Sequence, residues 1–311
     1  MVVLLLVLVL ALGDPGMAVA DGVPPTLASG FDPQRAFEHV RKQIDLGPRP
    51  AGSTELQRAK AYLVSEFKAC GLAVTEQPFE TDTPRGRIRF VNVIARPRDG
   101  ESDRPLGGAK PRLLLASHYD TKWLPDTRFV GANDGASSTA TLLEIARVIA
   151  AKKFQPKGHS LEFVVFDGEE AIKEYSSKDG LYGSRHYVEQ AKLKSPRGEI
   201  THIRALILMD MIGDRELGVQ LPHADADLTR RVYRAAETLG FRDYFHYVPH
   251  TVMDDHFPFV LEGVPSINLI DFEYGPDHTW WHTSEDTLDK LSPNSLKIVG
   301  QVVLKMIEDW K

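Results

Sequence analysis

Side chains able to hold a metal or carry a proton recur at intervals along the chain. His118 and Asp120 stand in Ser117-His-Tyr-Asp-Thr-Lys122, Asp134 in Gly131-Ala-Asn-Asp134-Gly-Ala-Ser137, and Glu169 and Glu170 directly follow Asp167-Gly168. Further along come Asp210 between two methionines, Asp254 and Asp255 before His256, and His282 after Trp280-Trp281. Each has an ordinary reading when taken alone. His118 would cap a loop, Asp134 would be a helix N-cap, Glu169-Glu170 a solvated pair, and His282 a packed interface residue. Taken together, Asp134, Glu170 and His282 supply two oxygen donors and one nitrogen, the open three-ligand set of catalytic zinc. Glu169 then stands beside a ligand as a carboxylate free to move a proton. Asp210 lies in an apolar run, where a desolvated carboxylate is costly unless it meets a cation or hydrogen-bond donors. Cys70 is the only cysteine, so neither an intrachain disulfide nor a multi-thiolate metal site can form.

Those residues share a position relative to the elements around them. Short apolar runs at 90–95, 113–116, 161–166, 205–209 and 266–270 read as strands. The segments 33–45, 136–152, 184–193, 224–239 and 294–310 read as helices. Asp32-Pro33 opens the first helix with a capping residue and a proline at its first position. After the loop from Leu46 to Gly52, Thr54 with Gln57 forms a capping-box pattern ahead of a face made by Leu56, Ala59, Leu63, Phe67 and Cys70. Continuous apolar runs suit strands covered on both faces. The alternation of strands and helices therefore predicts an α/β fold, a three-layer α/β/α sandwich around a mixed, mostly parallel sheet. Pairing of 90–97 as an antiparallel hairpin would make the sheet mixed. The candidate residues follow strand ends, which is where open α/β sheets bind their ligands.

With 311 residues, 42% of them hydrophobic and 26% charged, the composition is that of an ordinary globular protein. A formal net charge of −6 with no basic stretch argues against nucleic acid as a partner. Val2 to Leu12 is an apolar run too short for a stable bilayer span, and Ala18-Val19-Ala20 offers a cleavage site. Residues 1–20 are therefore expected to be a signal peptide, despite the missing positive n-region, and 21–311 a single zinc-dependent catalytic domain. An uncleaved anchor or a misplaced start is the alternative. The mature chain is expected to be exported, to lack a stable membrane span and to be a monomer. Residues 98–111 read as a surface loop.

In their order these motifs resemble those of the M28-type zinc aminopeptidases. Within that superfamily they look most like the glutaminyl cyclases (glutaminyl-peptide cyclotransferases). The similarity runs from Leu46-Gly-Pro-Arg-Pro-Ala-Gly-Ser53 to Trp281-His282-Thr283 and implies a zinc-dependent exopeptidase-like fold. In the peptidases the counterparts of His118, Asp134, Glu170, Asp210 and His282 hold two zinc ions, with Asp134 bridging and Glu169 as base. In the cyclases the counterparts of Asp134, Glu170 and His282 hold one. Phe166-Asp-Gly-Glu-Glu-Ala171, Leu181-Tyr-Gly-Ser-Arg-His186 and Asp254-Asp-His-Phe-Pro-Phe259 are cyclase-like, as is Trp281 beside the histidine. Tyr175 departs from the tryptophan of animal cyclases, and Thr283-Ser-Glu-Asp-Thr-Leu288 is similar to the peptidase ending.

The resemblance implies that peptide or protein N-termini are the substrate, and its cyclase side implies conversion of N-terminal glutamine to pyroglutamate with release of ammonia. Glu169, Asp254 and Asp210 would be catalytic, and Trp281, Tyr175 and Lys122 would contact substrate. The alternative is an aminopeptidase whose second zinc uses His118 and Asp210. A non-enzymatic binding module is a further class. A serine hydrolase is disfavoured because no G-x-S-x-G elbow is present.

Overall fold

The computed structural model describes residues 26–98, 110–193, 199–222 and 224–310. The expected leader at 1–20 and most of the expected loop at 98–111 lie outside those residues. Among the described residues, eight strands form one mixed sheet in the order β1-β2-β4-β3-β5-β8-β6-β7. The strands are β1 (Ala73–Thr83), β2 (Gly86–Arg96), β3 (Arg112–His118), β4 (Ser160–Phe166), β5 (Ile203–Asp210), β6 (Val219–Pro222), β7 (Phe245–Val248) and β8 (Ser266–Ile270). The central strands β4, β3, β5 and β8 run parallel. β1 and β2 form an antiparallel hairpin, and β2 is also antiparallel to β4. Every strand expected from the sequence is present, and the hairpin makes the sheet mixed. β1 escaped notice because it is a half-exposed edge strand rich in polar residues, and β6 and β7 because each has only four residues.

Alternation along the central strands gives the sheet two dry faces. Leu113, Leu115, Phe163, Ile207 and Leu269 join one core with residues of α1 (Pro33–Ile44), α2 (Thr54–Ala69), α3 (Ser138–Ala151), α5 (Ala226–Thr238) and α7 (Pro293–Glu308). Leu114, Ala116, Val164 and Leu208 face the other way, onto α4 (Tyr182–Leu193) and Phe259 of the short α6 (Phe257–Leu261). This is the three-layer sandwich. No helix among the described residues is long and apolar enough to cross a membrane.

The helix starts follow local chemistry. Asp32 caps α1, its carboxylate accepting from Gln34 N at 3.0 Å and Arg35 N at 3.1 Å, with Pro33 at the first position. α2 departs from expectation by one residue. Ser53, extended at φ −76°, ψ 159°, accepts from Leu56 N and is the cap, so Thr54 is already helical.

The loop between α1 and α2 holds the buried cation on which the site's geometry rests. Arg49 is fully buried, and its guanidinium donates to Tyr119 O at 3.2 Å, Val130 O at 2.7 Å and Gly131 O at 3.1 Å. It thereby ties together the two segments that carry Asp120 and Asp134. Burial pushes its pKa down to about 10, while Asp286, Asp120 and Asp134 favour the charge. Replacing Arg49 with Leu strands those carbonyls in a dry interior, and loss of one member of a buried charged cluster costs about 3–5 kcal/mol. We expect a matching fall in the urea midpoint, only partly recovered by Arg49→Lys, because an ammonium cannot span three carbonyls as a planar fork does. An unchanged midpoint in Arg49→Leu would contradict this role.

Candidate active site

Parallel register brings the strand ends to one edge. His118 ends β3 opposite Phe166 of β4, and Asp210 ends β5 opposite Ile270 of β8. Asp134 comes from the turn before α3. It is not the N-cap of α3: the helix begins at Ser138 with Ser137 in the capping position, and Gly135 at φ +92° turns the chain between Asp134 (φ −82°, ψ 98°) and that start. A Cβ on Gly135 would lie 2.9 Å from Asp120 O and 3.1 Å from the His118 ring, so position 135 has room only for glycine. His282, beyond β8, adopts a left-handed backbone at φ +55°. Its ring stacks on Trp281, with centroids 3.9 Å apart, and meets the edge of Phe129.

Two groups of donors result. His282 Nε2 lies 3.2 Å from Asp134 Oδ2 and 3.0 Å from Glu170 Oε1. His118 Nε2 lies 3.3 Å from Asp134 Oδ1 and 3.1 Å from Asp210 Oδ1. Each group could hold a metal ion. Donors about 2.0 Å from a tetrahedral zinc are separated by about 3.3 Å, so both spacings fit such an ion, as does the nitrogen and carboxylate chemistry. Asp134 sits between the two histidines and contributes to both groups.

Two further carboxylates hold the backbone beneath these donors. Asp120 accepts from Glu169 N at 3.1 Å and Glu170 N at 3.2 Å. Asp286 accepts from Asn133 N at 2.7 Å and Asp134 N at 3.1 Å, with Tyr274 OH donating to it at 2.8 Å. Each acid fixes a pair of neighbouring N–H groups and so aims the side chains that follow. Neither oxygen of Asp120 or Asp286 is left to solvent.

Burial sets the proton affinities. It drives Glu169 well above the usual carboxylate range, helped by Asp254 and Glu170 and opposed by His118. Tyr175 OH donates to Glu169 Oε2 at 2.8 Å and Glu170 Oε2 at 3.2 Å. Asp254 rises to about 7 through burial and the charge of Asp210, while Asn268 Nδ2 donates to its Oδ2 at 2.7 Å. Burial alone would lower the His282 imidazole, but Glu170 and Asp134 raise it to about 10. Asp134 moves the opposite way from its neighbours: despite burial, His118 and His282 hold it well below the carboxylate range.

A cavity of about 290 Å³ opens onto this cluster, and its lining includes Asp134, Glu169, Glu170, Asp210, Asp254 and His282. Tyr175, Met211, Ile270, Phe272 and Trp281 supply much of the remaining wall. Of the sequence candidates, Lys122 stands apart from that wall. Its Nζ lies 3.9 Å from Glu170 Oε2 and 5.2 Å from the centre of the Tyr175 ring. His118, 1% exposed, is also absent from the cavity lining.

Sequence reasoning gave no role to Asp286, Arg49 or the 250–253 segment of the cavity wall. Asp286 did carry a signal in Thr283-Ser-Glu-Asp-Thr287, directly after His282. Nothing in the string, however, tells Glu285, which is exposed, from Asp286, which is buried.

The model of peptidase family M28 matches residues 92–307. A glutaminyl-peptide cyclotransferase of Drosophila melanogaster is 30% identical over 84% of this chain and 78% of its own length. One from Bothrops jararaca is 34% identical over 83% and 76%. Among solved structures, an Acidobacteriales bacterium glutaminyl cyclase superposes with a TM-score of 0.81 at 35% identity, covering 94% of this chain and 97% of that one.

The cradle beneath Asp134 yields a direct test. Asp286→Asn keeps the shape but replaces one of two acceptor oxygens with a donor facing a backbone N–H. Loss of an outer partner of this kind lowers metal affinity by about 10- to 100-fold. Competition for a divalent metal against a chromogenic chelator should show that fall with native circular dichroism. Wild-type affinity in Asp286→Asn would remove Asp286 from the metal centre.

Proposed function

The chain belongs to peptidase family M28, and from that membership and its likeness to glutaminyl-peptide cyclotransferases we propose that it converts N-terminal glutamine of peptides to pyroglutamate, releasing ammonia. The observation that carries the proposal is the small cavity in which Glu169, Asp210 and Asp254 face an aromatic wall at Trp281. Its volume suits one side chain with its α-amine. We further propose one zinc, held by Asp134, Glu170 and His282. All three of these residues line the cavity, whereas the other donor group depends on His118, which does not. The leader-like residues 1–20 support export of the catalytic domain.

A zinc ion at that set would supply Lewis-acid polarisation of the glutamine γ-carbonyl. The chain's own residues do the rest. The substrate's α-nitrogen forms a bond to the γ-carbonyl carbon, and the bond from that carbon to the amide nitrogen breaks. Glu169 accepts a proton from the attacking amine and returns it to the departing nitrogen, which leaves as ammonia. Burial raises its proton affinity toward the range such a shuttle needs. Asp254 and Asp210 orient the amine and amide, and the proximity of their charges favours one shared proton. Trp281 packs on the aliphatic part of the side chain and excludes water. Nucleophile and carbonyl belong to one residue, so positioning removes much of the barrier.

Paired Gln-peptide and Leu-peptide substrates, followed by mass spectrometry, test the reaction class. Ammonia from the Gln-peptide alone supports the cyclase, whereas free leucine or glutamine would identify an aminopeptidase. Glu169→Gln should keep the fold and bound zinc while turnover falls about 100- to 10,000-fold. Undiminished turnover with metal in place would exclude Glu169 as the shuttle. Trp281→Ala should raise KM about 5- to 30-fold, in line with loss of an aromatic contact of about 1–2 kcal/mol. An unchanged KM would remove Trp281 from the binding wall.

A further inference from the structure

After β4 the chain loops out and comes back to the residue it left. Leu181 N donates to Glu169 O and Tyr182 N to Gly168 O, both at 2.8 Å, so the loop between β4 and α4 closes on the backbone of Glu169 itself. One carboxylate ties its interior. Asp179 accepts from Ile172 N at 2.7 Å, Lys173 N at 2.9 Å and Glu174 N at 3.2 Å, and the Tyr182 hydroxyl donates to it at 2.8 Å. Ser176 N donates to Asp179 O, and Arg185 Nη2 donates to Ser176 O, which fastens the loop to α4. A compact loop whose ends meet and whose polar groups are satisfied within it holds what it carries in one place.

What it carries is Tyr175. Gly180, at φ +86°, leaves the space against which the ring lies: a Cβ there would stand 2.7 Å from the Tyr175 ring. The hydroxyl is thereby brought back to the residue from which the loop departs, 2.8 Å from Glu169 Oε2 and 3.2 Å from Glu170 Oε2. A phenol has a single hydrogen to donate, and the shorter contact gives it to Glu169. Asp120 meanwhile accepts from the backbone N–H of Glu169 at 3.1 Å. Glu169 is therefore held at its backbone and at its carboxylate, whereas a glutamate fixed at the backbone alone keeps its side-chain torsions free.

We propose that Tyr175 is a positioning residue for the reaction: its hydroxyl fixes Oε2 of Glu169, so that the other carboxylate oxygen is the one that takes the proton from the attacking amine and returns it to the departing nitrogen. Both residues line the cavity in which that exchange would occur. The inference rests on the reading of Glu169 as proton carrier, which the cyclase and aminopeptidase chemistries share. The family resemblance leads one to expect a substrate contact at position 175, but the hydroxyl is engaged by the glutamate. A carboxylate that moves a proton works only within hydrogen-bond reach of its partner, so a donor that removes its wandering acts on the rate and not on the affinity for substrate. Phenylalanine at this position would keep the wall and remove only the donor.

The test is the zinc-loaded Tyr175→Phe chain, with zinc content and melting temperature measured beside turnover. On Gln-peptides kcat should fall about 10- to 100-fold, the rate equivalent of one hydrogen bond to a charged group, with KM within about twofold of wild type. A raised KM at unchanged kcat makes Tyr175 a substrate contact and overturns the proposal, as does turnover equal to wild type. A loss that added zinc restores overturns it as well, because the hydroxyl then acts through Glu170. A second readout needs no turnover. In the zinc-loaded Tyr175→3-fluorotyrosine chain, the fluorine magnetic resonance should move on Glu169→Gln and stay in place on Glu189→Gln, a change at an exposed residue of α4. A resonance that Glu169→Gln leaves unmoved overturns the bond. Should Leu-peptides release free leucine and Gln-peptides no ammonia, the cyclase reading fails by itself. The fall in kcat on the Leu-peptide then supports the role of Tyr175, and its absence overturns it.

Discussion

Negative charge gathered in a dry place is the constraint around which this protein is built. Asp120, Asp134, Glu169, Glu170, Asp210, Asp254, Asp255 and Asp286 are all buried near one edge of the sheet. A carboxylate removed from water must be paired, hydrogen-bonded or protonated. The structure uses all three answers. Asp134 is paired with two imidazoles, Asp120 accepts from two backbone N–H groups and Asp286 from two with the Tyr274 hydroxyl, and burial favours protons on Glu169 and Asp254. Arg49 supplies a fixed counter-charge from behind. The cluster is then held in tension by its own electrostatics, and a cation at the donor groups is the natural relief.

The same tension separates roles between residues of one chemical type. Glu169 and Glu170 are adjacent, share a hydrogen bond from Tyr175 and have their N–H groups on one aspartate. Burial raises both, but Glu170 faces His282 at 3.0 Å, which restrains its rise, while Asp254 and Glu170 add to that of Glu169 against the opposing charge of His118. Environment thus gives two adjacent carboxylates different proton affinities. The aromatic wall matters for a related reason: Trp281 stacks on His282 and borders the pocket, so one indole both steadies that imidazole and shapes the cavity.

Local pattern made much of this legible. Apolar runs marked the central strands because a strand covered on both faces has no polar alternation to hide it, and Asp32-Pro33 marked a helix start that the structure keeps. Strands β1, β6 and β7 were not legible: one is a polar edge and two are too short for any period to register. The cap of α2 shifted by one residue because Ser53 and Thr54 offer the same hydroxyl and only the backbone's extended turn chooses between them.

What the sequence determined by itself was the kind of chemistry: oxygen and nitrogen donors, no thiolates, placed after apolar strands that must end at a common edge. Tertiary structure alone decided which of those groups meet. The parallel register sets His118 beside Asp210 across 92 residues of chain, and the left-handed backbone at His282 turns its ring onto Glu170 across 112. It also decided that Asp286 rather than Glu285 lies beneath Asp134, and that Asp134 points at two histidines instead of capping a helix. The physical reason is that strand and helix periods are local properties of the chain. Desolvation and charge pairing, in contrast, depend on every group that folding brings within a few ångströms.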